Sequence, residues 1–355
     1  MVFPSGSVVV RRRLGSTGDQ IAPRLRSTDV KIFCFYFTWS CTERAKVAGN
    51  RRLRTDRTRA RMSKIVSVSP RPLLEDLWFE RDGVRLHAVA GGPEKGPLVI
   101  LLHGFPEFWY SWHKQIGPLA EAGIRVVAPD QRGYNLSSKP PAIADYALQH
   151  LTADVVAIAD QLGHDRFFLA GHDWGAAVAW ATALQYPQRL RKLAILNVPH
   201  PAVLLSTLRR NPRQMLRSWY MAFFQLPRIP ESRFSANNFA EGTKSLVASS
   251  RPGTFTPEDL ARYREAWSNP GTVTAMINWY RAFFRNRPAL PDPQVHVPTR
   301  ILWGRRDRFL LPQMAQESVK FCDSAELTYF PDASHWLQHE ESDAVNAALI
   351  QFFRS

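Results

Sequence analysis

Gly171-His172-Asp173-Trp174-Gly175 sits where an apolar strand pattern over Arg166 to Ala170 gives way to a helical pattern from Trp174 to Tyr186. Glycines two residues before and two after Asp173 permit a strand-to-helix turn sharp enough to lift the central side chain above a sheet. A helix cap would account for Asp173 but for neither glycine. With a reference pKa of about 4, a carboxylate at this position is ionised at neutral pH and needs no base to become a nucleophile.

Outward from this turn the chain alternates. Upstream, Asp76 to Glu80 and Val84 to Val89 read as strands joined by the turn Arg81-Asp82-Gly83, and Leu98 to Leu102 as a strand buried on both faces. Helical spacing from Tyr110 to Ala122, a strand at Arg125 to Ala128 and a helix from Tyr146 to Leu162 follow. Downstream, the strand Leu193 to Leu196 continues the series, which implies a mostly parallel sheet with right-handed crossovers. The alternation stops after Pro199 and returns with strands at Arg300 to Trp303 and Glu326 to Phe330 and a helix from Ser342 to Phe353. Between them lie aromatic-rich helical stretches. The expected organisation is an α/β core over 65–200 and 292–355, interrupted by a helical cap over 201–291.

The 355 residues carry a formal charge of +15, but the front end holds most of it: residues 1–64 have 15 Lys/Arg against four Asp/Glu. Runs such as Arg11-Arg12-Arg13 could meet phosphate, yet no nucleic-acid-binding fold surrounds them, so this segment reads as a disordered or mis-assigned leader before Met62. Ile32 to Phe37 has the character of a short signal core, but it lies far from Met1 and no Ala-x-Ala follows. No apolar run is long enough for a membrane span. Cys34, Cys41 and Cys322 offer neither a disulfide framework nor zinc spacing, which points to a reducing, cytoplasmic setting.

Two further residues follow Asp173 in the order nucleophile, acid, histidine. Asp307 comes after the strand ending at Trp303, and His335 after the last strand. A carboxylate against the imidazole fixes its tautomer while the other ring nitrogen deprotonates water. Asp292 and Asp332 compete with Asp307 on sequence position alone. His103-Gly104-Phe105-Pro106 follows the first buried strand, and the backbone N–H groups of Phe105 and Trp174 are placed to receive a developing oxyanion. His103 reads as a turn-supporting residue and His172 as a packing or loop-bonding one. No residue cluster has metal-ligand spacing, and no glycine-rich phosphate loop or dinucleotide fingerprint is present, so no cofactor is expected.

These segments resemble the soluble epoxide hydrolases of the α/β-hydrolase fold. The resemblance spans about residues 76–353 and rests on His103-Gly104-Phe105-Pro106-Glu107, Asp130-Gln131-Arg132-Gly133-Tyr134, Gly171-His172-Asp173-Trp174-Gly175-Ala176 and Asn278-Trp279-Tyr280-Arg281. It implies two cap tyrosines, Tyr220 and Tyr280, that donate to the oxygen leaving an opened epoxide. It also implies a small-molecule epoxide and water as partners, a covalent ester on Asp173, and compatibility with a homodimer. A haloalkane dehalogenase resembles the chain in fold and in Gly-His-Asp-Trp-Gly. A halide leaves as a stable anion and needs N–H donors; here Phe105 stands where that family usually has Asn. Trp219, Phe223, Phe224, Trp267, Trp279 and Phe283 suggest an apolar or aryl substrate, although at helical spacing they suit packing equally well.

Overall fold

The computed structural model describes residues 74–286 and 292–355. The leader reading over 1–64, with Cys34, Cys41 and Met62, lies outside the described residues.

The chain begins with β1 (Glu75–Arg81) and β2 (Val84–Gly91), an antiparallel hairpin in which Asp82 and Gly83 both take positive φ. That turn matches the right-handed twist of the flanking strands. Then follow β3 (Leu98–Leu102), α1 (His113–Glu121), β4 (Arg125–Pro129), α2 (Leu148–Gln161), β5 (Phe167–His172), α3 (Trp174–Gln185) and β6 (Leu190–Leu196). After a helical excursion come β7 (Thr299–Gly304), then a helix over Gln313–Val319, β8 (Ala325–Phe330), a short helix over Leu337–Glu340 and a closing helix over Ser342–Arg354. Helix α1 starts later than its periodicity suggests because Trp109–Trp112 forms a separate 3-10 turn.

The eight strands form one sheet in the order β1-β2-β4-β3-β5-β6-β7-β8. From β4 through β8 every neighbouring pair is parallel. All five residues of β3 are buried, which is why it reads as an unbroken aliphatic run. Val99 and Leu101 face α1 and the closing helix, with Trp112, Ile116, Leu349 and Phe353. Ile100 and Leu102 face α2 and α3, with Leu151, Val155 and Val178. Each such side chain contributes roughly 1.5–3 kcal/mol over its exposed state.

Strand order reverses at β3, since β4 joins it on one side and β5 on the other. In parallel sheets the crevice beyond the carboxyl ends at such a reversal is where ligands bind. The loop carrying Phe105 leaves β3 there, and Asp173 leaves β5 there.

Between β6 and β7 the described residues form helices and no strand: α4 (Pro201–Arg210), α5 (Pro212–Arg217), α6 (Trp219–Phe223), α7 (Ile229–Ser249), α8 (Pro257–Ser268) and α9 (Thr272–Arg285). Helix α7 is broken at Ala236–Phe239, where three consecutive residues take left-handed angles. Buried Trp267, Trp279, Tyr263 and Met276 join these helices to the same apolar cluster as β3 and α3. Among the described residues, no helix is long and apolar enough to cross a membrane.

Candidate active site

Asp173 occupies the turn between β5 and α3 with φ 49° and ψ −123°, a conformation that costs a non-glycine residue on the order of 1–3 kcal/mol. Its flanking glycines make the turn physically feasible. A Cβ on Gly171 would lie 2.4 Å from the Gly175 carbonyl oxygen, and a Cβ on Gly175 would lie 2.1 Å from that of Leu102. The Asp173 side chain makes no cap bond to α3. It points instead into the crevice, where the Phe105 amide donates to its Oδ1 at 2.8 Å. Trp174, the other expected amide donor, opens α3 immediately after it.

The second carboxylate oxygen, Oδ2, lies 3.4 Å from His335 Nε2. On the far side of the imidazole, His335 Nδ1 is 2.7 Å from Asp307 Oδ2. That contact assigns the proton to Nδ1. Asp307 is itself held on both oxygens: Oδ1 accepts from the amides of Phe309 (2.7 Å) and Leu310 (2.9 Å), and Oδ2 accepts from Asn197 Nδ2 at 2.8 Å. The competing acids stand elsewhere. Asp332 pairs with exposed Arg306, and Asp292 accepts from the Gln294 amide.

Burial opposes charge on His335, but the Asp307 carboxylate and the bonds to Asp173 and Asp307 outweigh it and hold the imidazole above its usual range. Burial would likewise raise Asp173, but its bond to His335, the positive charges near it and the Phe105 amide keep it below the usual carboxylate range. Burial and the Asp173 charge push the phenols of Tyr220 and Tyr280 well up, so both stay protonated across physiological pH.

Those phenols come from different helices, Tyr220 from α6 and Tyr280 from α9, with ring centroids 5.9 Å apart. Tyr280 is wedged edge-on between Trp174 (5.0 Å) and Phe105 (5.2 Å). With Asp173 and His335, both tyrosines line a cavity of about 310 Å³ whose walls include Phe105, Phe224, Phe309 and Trp336. All five expected side chains and the Phe105 loop therefore converge. Of the aromatics expected to hint at substrate, Trp219 and Phe224 line this cavity, whereas Trp267 and Trp279 are core residues. His103 is fully buried, Nδ1 against the Gly104 carbonyl and Nε2 accepting from the Gln131 amide, which makes it a turn support. His172 binds the His335 carbonyl through Nε2 at 2.8 Å.

Three residues that the sequence reading did not single out as site residues complete the support. Asn197, at the end of β6 with φ 54°, links Asp307 to the Gly304 amide, which donates to its Oδ1 at 3.0 Å. Arg281 bonds the carbonyls of Phe224 (3.1 Å) and Leu226 (2.7 Å) and the Glu231 carboxylate (2.6 Å), tying α9 to the end of α6 and so fixing one tyrosine relative to the other. Glu107 gathers Tyr263 Oη at 2.8 Å, His339 Nε2 at 2.7 Å and His172 Nδ1 at 3.1 Å. Burial alone would raise this carboxyl, yet the two histidines hold it well below its ordinary range. Asn at a strand end is a familiar left-handed residue, and that was the one signal for Asn197.

The family model described as alpha/beta hydrolase fold matches residues 97–342. An AB hydrolase superfamily protein, YfhM of Bacillus subtilis, is 45% identical over 274 residues, covering 77% of this chain and 96% of its own length. Epoxide hydrolase 4 of Mus musculus is 41% identical over 279 residues, 77% of each protein. The chain belongs to the epoxide hydrolase family of the α/β-hydrolase fold. Within this family, the crystal structure of the Bacillus megaterium epoxide hydrolase with an inhibitor aligns with a TM-score of 0.73 at 31% identity, covering 79% of this chain and 100% of that one. A variant of the same enzyme has been solved with its product, a naphthyloxypropane diol.

Proposed function

We propose that the chain hydrolyses an apolar epoxide to a vicinal diol through an alkyl-enzyme ester on Asp173. In this reading residues 65–200 and 292–355 form the catalytic core, 201–291 the cap that supplies the phenols, and the protein works in the reducing cytoplasm. One observation carries the proposal: a carboxylate in a strained turn, backed by a His335–Asp307 pair, shares one apolar cavity with two protonated phenols.

Asp173 Oδ1 is held by the Phe105 amide, so Oδ2 is the attacking oxygen. It displaces the epoxide oxygen from the back of one ring carbon. The C–O electron pair leaves on an oxygen that accepts hydrogen bonds from Tyr220 and Tyr280, and one phenol transfers its proton. Ester formation removes the Asp173 charge, one of the causes that keep His335 protonated. His335 then gives up a proton, which restores the tyrosine, and in its neutral form deprotonates a water. Hydroxide adds to the ester carbonyl carbon and the oxyanion rests on Oδ1, facing the amides of Phe105 and Trp174. Collapse breaks the ester, the imidazolium protonates the departing diol oxygen, and the carboxylic acid left on Asp173 passes its proton to the now neutral His335, which restores both the carboxylate and the protonated imidazole.

Diol release from styrene oxide, set beside halide release from 1-chlorobutane, tests the proposal. Diol without halide is expected. Halide without diol would assign the same nucleophile to dehalogenation and overturn the epoxide reading.

A further inference from the structure

Asp173, Tyr220 and Tyr280 border a second cavity as well as the first. It measures about 60 Å³ and is walled by Ala177, Val198, Leu204, Met221, Phe283 and Leu310 together with Trp174. The reacting carboxylate and the two phenols are the residues shared by both cavities. No other charged side chain lines the smaller one.

The chemistry fixes how a substrate lies across this waist. The phenols hold the epoxide oxygen, and attack from the back puts Asp173 Oδ2 opposite the bond that breaks. The carbon–carbon bond of the ring then spans the junction, so groups on its two carbons extend into different cavities. A water-sized group needs roughly 10–15 Å³ of such space, so the smaller cavity, at about 60 Å³, holds about four to six of them. That suits a short alkyl chain, whereas the six carbons of a flat, rigid phenyl ring would need all of that space or more. The larger cavity is several times bigger and lined by aromatic rings.

Resting on the epoxide reading above, we propose that the chain is shaped for epoxides substituted on both ring carbons, with one bulky apolar arm and one short alkyl arm, and that Leu204 and Phe283 set the length of the short arm. Leu204 belongs to α4 and Phe283 to α9, so the limit is imposed from two separate elements.

The test measures kcat/KM of the full chain for styrene oxide, trans-1-phenylpropylene oxide and trans-stilbene oxide. The methyl-bearing substrate is expected to exceed trans-stilbene oxide by about tenfold or more, the scale on which an apolar pocket discriminates by size. Leu204→Ala and Phe283→Ala, tested separately, are each expected to shift that ratio towards trans-stilbene oxide by about fivefold or more. Ala177→Leu, which fills the chamber from α3, is expected to lower turnover of the methyl-bearing substrate relative to styrene oxide. Wild-type rates for the methyl and phenyl substrates within about threefold of one another would overturn the inference, as would a ratio unmoved by all three variants. Diol from styrene oxide alongside such a result would leave the epoxide reading intact; no diol from any of the three would overturn both.

Discussion

Replacing Tyr220 and Tyr280 with Phe, singly and together, probes the step that separates epoxide opening from halide release. Each substitution deletes one hydroxyl while keeping the ring, and the Tyr280 ring keeps its edge contacts with Trp174 and Phe105 at 5.0 and 5.2 Å. The fold is therefore expected to survive. A hydrogen bond to a charged oxygen is worth about 1.5–3 kcal/mol, which corresponds to about 10- to 150-fold in rate. Either single variant should slow alkylation by that factor, because the other phenol, 5.9 Å away ring to ring, still donates and can deliver the proton. The double variant loses general-acid catalysis too, a further factor of about 10² to 10⁴. Rapid-quench single turnover with enzyme in excess and intact-mass detection of alkylated protein reads this step directly. If the double variant alkylates within about tenfold of wild type, the phenols are packing residues and the leaving oxygen is stabilised elsewhere.

Asp173→Ala should abolish turnover while the chain still folds, since its side chain does not cap α3; retention of more than a few per cent of activity would mean that water or another group attacks directly. Asn197→Ala should lower stability by about 1–3 kcal/mol, because the buried Gly304 amide loses its acceptor. It should also slow ester hydrolysis more than alkylation, since Asp307 and then His335 lose their alignment; slowed alkylation with unchanged hydrolysis would contradict that order. His335 binds its proton more tightly folded than unfolded. Its contribution to stability is thus full below the ordinary histidine pKa of about 6.5 and fades as pH rises through the folded value. Melting curves should show wild type losing stability over that rise relative to His335→Gln, and parallel curves for the two proteins would remove the basis for a charged resting imidazole.

Much of this site could be read from the chain because its chemistry is local. Gly171, Asp173 and Gly175 bring the turn, the nucleophile and the strand-to-helix transition together within five residues, and steric exclusion at both glycines is what the turn requires. Asp307 and His335 could be placed because each follows a strand of an alternating pattern. The supporting residues were harder to see, since their roles arise only where distant loops meet. Asn197 in Leu196-Asn197-Val198-Pro199 looks like any turn residue until β6 and β7 pair and bring Gly304 beside it. Arg281 enters the sequence reading only as the end of Asn278-Trp279-Tyr280-Arg281, and nothing in that stretch marks that it is buried against the end of α6. Aromatic content left pocket and core unseparated for a related reason: helical spacing cannot distinguish Trp279, whose indole N–H docks on the Arg132 carbonyl, from Phe224, which faces the cavity.

Covalent catalysis is best tested by mixing the His335→Gln protein with styrene oxide and weighing the intact chain. A gain of one whole epoxide, mapped to the peptide bearing Asp173 and persisting while wild type shows turnover, is the expected result. Diol formation by the variant with the protein mass unchanged, or an adduct on any other residue, would contradict an ester at Asp173.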